Sequence, residues 1–268
     1  MKKDYSLEIL GCLIILVLLA LCVNVYEMEF DEEVIDYKKY DERITSYYDK
    51  YLVGVSFEDP SNLNGDYIIT PIDYTMYHDA INFVEDYFLW FNKEFFKHFY
   101  EYGMNGLEIY FASNISGTKN GYNNASVIGL SFIKNNKYVI VVGLKNKSDV
   151  LEIFAHETMH IIDYYLTALD FDYGWNQLNP VGFNYSHVYY KNSVFKDTIA
   201  GHTDNNAVYF VDNYARSSEN EDRARILEYI LLGNSLQEYP ALEEKKEHLQ
   251  NSLLKVFPEL KYTKNFYK

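Results

Sequence analysis

Residues 149–169, DVLEIFAHETMHIIDYYLTAL, are the stretch on which the fold of this 268-residue chain depends. Apolar side chains occupy most of its helical circumference, and the polar exceptions gather on one stripe that includes His156 and His160. At 100° per residue, two side chains four positions apart stand about 40° apart on a helix face. The stretch therefore predicts a buried helix, from about Asp149 to Leu169, that presents polar groups on one side.

The motif His156-Glu157-Thr158-Met159-His160 predicts a metal site on that helix. Two imidazoles on one helix face can share a tetrahedral Zn²⁺, with nitrogen–zinc distances of about 2.0–2.1 Å. Glu157 stands on the flank, where its carboxylate can take a proton from a zinc-bound water without ligating the metal. Asp163 falls on the same stripe and is predicted to lie behind the ligands, bonding either a ligand imidazole or the segment that packs on the helix.

A catalytic zinc site needs a third protein ligand and an open fourth position. The metzincin continuation of the motif would place glycine at position 163 and a third histidine at position 166. The chain has Asp163 and Leu166 there, so that class of zinc site is excluded. His187 and His202 remain possible ligands in a loop-rich region, although an ordinary histidine is the commoner reading of each.

A carboxylate on a second helix is the preferred third ligand. Ser218 followed by Glu221 forms a capping-box pattern, which predicts that a helix begins there. Of the three glutamates on this helix, Glu221 is preferred, because it lies in the first turn and the small Ala224 lets two helices approach. Glu228, two turns further on the same face, is the second choice. The alternative role of Glu221 is the capping box alone.

Periodicity in the rest of the chain predicts an α+β fold. Apolar residues at a spacing of three to four predict one long helix over Thr75–Tyr102, and its aromatic stripe is expected to be core. Short apolar runs predict three strands and a hairpin turn, and two more helices follow. The strands are expected at Leu107–Ala112, Ser126–Phe132 and Tyr138–Leu144, with the turn at Asn135-Asn136. The two helices are expected at Ser218–Leu232 and Ala241–Val256.

The N-terminus predicts export. Lys2 and Lys3 precede an apolar run from Ile9 to Val23, and an acidic segment follows. Positive charge before an apolar run holds that end in the cytoplasm and sends the remainder outward. We therefore expect residues 1–26 to be a single membrane anchor, with a cleaved or lipidated segment as the alternatives. Residues 27–60 are predicted to form an acidic helical stalk, and residues 61–268 an extracellular domain.

Composition narrows the range of functions. Hydrophobic residues make up 48% of the chain, which is typical of a globular protein. The net charge is −15 and no basic cluster is visible, so nucleic acid is not an expected partner. The two cysteines, Cys12 and Cys22, both lie in the apolar run, which excludes a cysteine nucleophile or a cysteine-ligated metal from the rest of the chain. No pattern predicts an oligomeric state.

Together with the HExxH motif, residues 214–224, YARSSENEDRA, resemble the anthrax lethal factor and Pro-Pro endopeptidase group of zinc peptidases. The resemblance implies a two-lobed zincin-like fold of the gluzincin type, with a small mixed sheet and a mostly helical C-terminal lobe. It also implies zinc on His156, His160 and Glu221. A tyrosine seven residues before that glutamate, here Tyr214, would stabilise the oxyanion.

Two residues depart from the pattern of that group. Arg223 stands where an aromatic residue is usual, and Arg225 where an acidic residue is usual. These departures affect the expected substrate specificity more than the metal site.

The activity implied by the resemblance is hydrolysis of peptide bonds by a zinc-dependent endopeptidase. The alternative is an inactive zincin-like module that binds a partner at the cell surface. In peptidases of this build, an extended peptide substrate adds to an exposed sheet edge. That edge is predicted just before the strand that leads into the HExxH helix, with a glycine that allows close approach of a backbone. The predicted substrate-binding residues are Ala125, Val127, Gly129 and Ser131.

Overall fold

The computed structural model describes residues 37–117, 126–185 and 208–267. Residues from Arg43 onward form one compact unit, and the preceding residues are assigned to a separate unit. The helices are α1 (Tyr37–Tyr51), α2 (Tyr77–Phe88), α3 (Lys93–Lys97), α4 (Val150–Thr167), α5 (Glu219–Leu232) and α6 (Pro240–Val256). The strands are β1 (Val53–Ser56), β2 (Tyr67–Pro71), β3 (Leu107–Gly117), β4 (Ser126–Val127), β5 (Gly129–Lys134) and β6 (Lys137–Gly143). The predicted α+β class is confirmed, whereas the division into two lobes stays a prediction.

A six-stranded mixed sheet forms the first half of the compact unit. Its main path runs β1–β3–β6–β5, with β1 and β6 parallel to β3 and β5 antiparallel to β6. Strands β2 and β4 pair antiparallel with the second half of β3. Within the described part of the chain, β5 therefore lies at an edge of the sheet.

The turn between β5 and β6 is the predicted hairpin. Asn135 and Asn136 have φ values of 51° and 58°, and Lys134 pairs with Lys137 across them. Positive φ at both central residues is typical of the two-residue turn that matches strand twist, and asparagine tolerates it well. The strand predicted over Ser126–Phe132 is divided, because the Ile128 carbonyl accepts a bond from the Gly143 N–H and β4 then pairs with β3.

The two faces of the sheet are covered by different segments. Helices cover one face, where the ring of Phe111 lies 6.2 Å from that of Phe154 on α4. A second apolar layer covers the other face and includes residues from the segment before and within β2. Its buried members are Ile69, Tyr110, Ala112, Ile115, Leu130, Val139 and Val141, with Leu63, Tyr67, Val127 and Phe132 partly buried against them. The sheet is thus buried on both faces, which fixes its strands against α4.

The prediction of a stalk over residues 27–60 is wrong for residues 43–60. Strand β1 lies inside that range, and Val53 and Val55 are buried and paired with β3. The second half of α1 is also bound to the compact unit, because the side chains of Arg43 and Tyr47 bond Glu85 on α2 at 2.5 and 2.8 Å. The compact unit therefore begins near residue 43 and not at residue 61.

The predicted anchor, residues 1–26, lies outside the described residues. Among the residues that are described, no helix combines the length and apolar character needed to cross a membrane.

The long helix predicted over Thr75–Tyr102 is interrupted. Helix α2 ends at Phe88, and α3 begins after Asn92, whose side chain accepts a hydrogen bond from the Phe95 N–H at 3.2 Å. The aromatic stripe nevertheless stays buried across the break. An asparagine cap restarts the helix without disturbing the apolar spacing, so periodicity alone predicted one continuous helix.

Helices α4 and α5 differ at their N-termini. Ser218 caps α5 as predicted, since its hydroxyl accepts a hydrogen bond from the Glu221 N–H at 3.2 Å. Asp149, the residue before α4, makes no side-chain cap bond to that helix. Its carboxylate accepts bonds from Asn146 and Ser148 in the short 3₁₀ turn that precedes the helix.

His98 links the middle of the chain to its C-terminus. Its Nε2 lies 3.2 Å from Oε1 of Glu259, and its Nδ1 lies 3.4 Å from Oε1 of Glu101. Glu259 contributes most to raising the pKa of His98 above its ordinary value of 6.5, and Glu101 adds to the effect, while burial opposes it. The ion pair therefore favours the protonated ring in the folded protein.

Because folding raises the pKa of His98, its contribution to stability should be complete below about pH 6.5 and should decline as the pH rises through the raised value. We expect His98→Gln to lower the free energy of unfolding by about 1 kcal/mol at about pH 5.5. The difference from the unmutated protein should shrink in alkaline buffer. Urea unfolding across this pH range measures it, with the exposed His78→Gln as the matched control. A difference that is independent of pH would contradict the assignment.

Candidate metal centre

Helices α4 and α5 bring two imidazoles and one carboxylate to a common point. The Nε2 atoms of His156 and His160 lie 3.1 Å apart. Oε2 of Glu221 lies 3.0 Å from the first nitrogen and 3.5 Å from the second. Ligands at zinc–ligand distances of about 2.0–2.1 Å in a tetrahedral shell are separated by about 3.3–3.4 Å. The triangle therefore has the size of one face of a zinc coordination shell.

The environment of Glu221 also fits a metal ion. The side chain is buried, and its Oε2 faces the two imidazoles without a hydrogen bond of acceptable geometry. A buried carboxylate oxygen needs positive charge beside it: the imidazoles at 3.0 and 3.5 Å supply it when protonated, and a cation among the three ligand atoms would supply it in their place. The residues present are thus suited to hold a zinc ion, and Glu221, unlike Glu228, faces Nε2 of both histidines.

The electrostatics of the centre favour positive charge. Burial alone would raise the pKa of Glu221, but His156 and His160 outweigh it and hold the pKa well below its usual range. Burial alone would lower the pKa of His156, but Glu221 and Glu228 outweigh it and raise the pKa. Both shifts have the same origin, because carboxylates on either side of the ring stabilise a cation between them.

Glu228 supports His156 from the side away from the centre. Its Oε1 accepts a bond from Nδ1 of His156 at 2.6 Å, and Nε2 of that ring faces the Glu221 carboxylate, where it could ligate a metal. The other oxygen of Glu228 is bonded by Arg225, whose Nε lies 2.9 Å from Asp212. A carboxylate behind a ligand histidine fixes the ring and its tautomer and increases its basicity. Arg225 therefore has a structural role, because it holds the carboxylate that holds His156.

Replacing Glu228 with glutamine should weaken zinc binding by about 10–100-fold, because the amide keeps the shape of the side chain and removes its charge. Competition with a fluorescent chelator measures the affinity. The exposed Glu244→Gln on α6 is the matched control and should bind zinc like the unmutated protein. Unchanged affinity in Glu228→Gln would show that the contact with His156 does not support the metal.

Asp163 joins the helices rather than a ligand imidazole. Its two oxygens accept bonds from Nε and Nη2 of Arg223 at 3.2 and 3.1 Å, and one also accepts a bond from the Tyr173 hydroxyl at 3.0 Å. The Arg223 guanidinium lies 4.3 Å from the centre of the Tyr173 ring. Of the two partners predicted for Asp163, the structure thus shows the segment that packs on α4, here Arg223 of α5. The bond to the imidazole of His156 is made by Glu228 instead. These bonds between Asp163, Arg223 and Tyr173 also explain why an arginine stands at position 223.

Glu157 lies against strand β5. Its side chain is 6% exposed, and its Oε2 accepts a hydrogen bond from the Ser131 hydroxyl at 2.6 Å. A Cβ atom on Gly129 would lie 2.6 Å from Oε1 of Glu157 and 2.5 Å from Cγ2 of Ile153. A close approach therefore exists at Gly129, and the group that approaches its Cα is the side-chain surface of helix α4; the pairing of a substrate backbone at this residue stays a prediction.

The other predicted substrate residues have different positions. Val127 lies in β4, paired with Ile115 of β3 and packed on the second apolar layer. Ala125 lies outside the described residues, as do His187 and His202.

Tyr214 lies beside the centre, as the resemblance implies. Its ring centroid is 5.9 Å from that of His156, and the side chain is half-buried. A turn before α5 holds it there, since the carboxylate of Asp212 accepts the Ala215 N–H and the Ser217 hydroxyl donates to the Tyr214 carbonyl. The Tyr214 ring is thus placed on a fixed segment beside His156.

Comparison with known proteins gives a fold match. No protein-family model matches the chain, and no curated protein matches it. A solved structure from Bacteroides caccae, provisionally described as a zinc-binding metallo-peptidase, shares 14% sequence identity with it. The alignment covers 85% of this chain and 89% of that chain, with a TM-score of 0.50. The chain therefore shares the overall fold of that structure.

Proposed function

We propose that the protein is a zinc-dependent endopeptidase. The observation that carries the proposal is the triangle of His156 Nε2, His160 Nε2 and Glu221 Oε2, with Glu157 next to His156 on the same helix. Zinc held by these residues would polarise the substrate carbonyl and make the attacking water more acidic. The motif and the fold match support the same reading.

The residues around the centre have distinct roles in this proposal. Glu157 is the general base: it accepts the proton of the attacking water on a carboxylate oxygen and later passes it to the leaving amine. The Tyr214 phenol donates a hydrogen bond to the oxygen that gains negative charge. Glu228 and Arg225 keep His156 in place throughout.

The open edge of β5 supports binding of an extended peptide. Lys134 and Lys137 pair next to the two-residue turn, and such a pair exchanges both backbone hydrogen bonds. Every second pair along the two strands does the same. Counting back from that pair, the peptide groups of Gly129, Ser131 and Ile133 point away from β6. A peptide strand could pair with them by β-augmentation, next to Glu157.

The assignment to a peptidase group and to a place outside the cytoplasm rests on the sequence. The spacing of Tyr214 and Glu221 supports a place in the lethal factor and Pro-Pro endopeptidase group. The charge pattern of residues 1–26 supports a membrane-anchored enzyme that acts outside the cytoplasm.

A mixed peptide library tests the proposal. The purified chain is loaded with one equivalent of zinc, incubated with the library, and the products are read by mass spectrometry. We expect internal cleavages that a chelator stops and added zinc restores. Zinc binding without cleavage of any peptide would instead favour the inactive binding module. A chain that binds no zinc would refute both functions.

A further inference from the structure

We propose that Ser131 is a positioning residue for Glu157, so that a peptide paired with the edge of β5 also fixes the general base. This inference rests on the proposed function and adds a role that is distinct from contact with substrate. Three features of the described residues carry it: a short hydrogen bond, a glycine at position 129 and the direction of a peptide group.

The first feature is the bond from the Ser131 hydroxyl to Oε2 of Glu157, at 2.6 Å. This distance is typical of a hydroxyl that donates to an ionised carboxylate, which is roughly twice as strong as a bond between neutral groups. Glu157 is buried and Ser131 is half-buried, so water competes little for the carboxylate. One oxygen of Glu157 is thus fixed, and Oε1 is left to accept a proton.

The second feature is the absence of a side chain at Gly129. A Cβ atom at this position would be 2.6 Å from Oε1 and 3.0 Å from Cγ of Glu157. Only glycine therefore lets the carboxylate lie directly against the strand backbone. Gly129 and Ser131 are two residues apart and face the same side of the sheet, so together they form the surface on which Glu157 rests.

The third feature is the direction of the Ser131 peptide group. Ser131 pairs with Ile140 at a position where the backbone groups point away from β6. The Tyr164 hydroxyl, 3.4 Å from the Ser131 carbonyl oxygen, approaches from that outer side. One residue thus offers its peptide group to the open edge and its side chain to Glu157. Pairing of a peptide with the edge would restrain both groups together.

The consequence is a loss of turnover without a loss of binding. Without its hydroxyl, residue 131 still offers the same peptide group to a substrate strand, whereas Glu157 loses the donor that fixes it. A general base displaced by about 1 Å can cost about 100-fold in rate. We expect Ser131→Ala to lower kcat by about 10–100-fold and to change KM by less than about threefold.

The test compares Ser131→Ala with Ser131→Thr and with Ser113→Ala. Threonine keeps the hydroxyl and suits a strand, so it should restore most of the lost kcat. Ser113 lies on β3 and donates to the Thr70 carbonyl, which makes Ser113→Ala a matched control with unchanged kcat. Each variant is also measured for zinc per chain and for its thermal unfolding midpoint, which should equal those of the unmutated protein.

Several outcomes separate this inference from the proposed function. If the unmutated protein cleaves peptides and Ser131→Ala has the same kcat, the inference alone is overturned. It is also overturned if alanine and threonine lower kcat equally, or if the loss in Ser131→Ala follows a loss of zinc or of stability. If the unmutated protein binds zinc and cleaves nothing, the proposed function fails and the inference fails with it.

Discussion

Replacing Glu157 with glutamine is expected to reduce kcat by about 10²–10⁴-fold while zinc content stays at one per chain. The amide keeps the size of the carboxylate and can still accept the hydrogen bond from Ser131, so the side chain should remain against β5. An amide oxygen cannot take up the proton of the attacking water, and catalysis by the general base is lost. Initial rates on a peptide from the library, with zinc measured on the same samples, give the result.

The matched control for this change is Glu247→Gln, an exposed glutamate on α6. It should cleave the peptide at the rate of the unmutated protein. Full activity in Glu157→Gln would show that another group activates water and would remove Glu157 from the mechanism. Loss of zinc together with activity would show that Glu157 supports the metal and is not simply the base.

The second large effect is expected from Glu221→Ala. Removing one of three protein ligands should weaken zinc binding by more than about 100-fold, because even residues behind the ligands contribute about 10–100-fold. The fold itself should survive. The Ser218 cap uses the backbone N–H of residue 221, which alanine retains, and the change removes a buried carboxylate. Added zinc should therefore no longer raise the unfolding temperature.

Glu219 provides the matched control in the same helical turn. Its side chain is 38% exposed and interacts with Arg223 and Asn176. Glu219→Ala should bind zinc with the affinity of the unmutated protein. Normal zinc affinity in Glu221→Ala would contradict the ligand set and would require a third ligand elsewhere in the chain.

The sequence predicted best the features that depend on neighbouring residues. The HExxH helix follows from its periodicity, and the start of α5 follows from the Ser218 cap. The choice between Glu221 and Glu228 was a preference only, because both stand on one face of α5. The structure separates them, since one reaches Nε2 of His156 and the other reaches Nδ1.

Features that depend on distant residues could not be predicted in this way. Strand β1 is only four residues long and lies between charged segments, and its pairing with Leu107–Tyr110 is what makes it a strand. The bond from Ser131 to Glu157 joins a strand to a helix, and no local spacing indicates it. Arg223 and Arg225 gain their partners, Asp163 and Glu228, only when α4 and α5 pack together.

One zinc ion held by His156, His160 and Glu221 is the central claim. Crystals grown with zinc and measured on both sides of the zinc absorption edge locate the metal directly. We predict a single anomalous peak at about 2.0–2.2 Å from Nε2 of each histidine and from a carboxylate oxygen of Glu221. A zinc-loaded crystal with no peak at this point, or with the metal held by other residues, would contradict the claim.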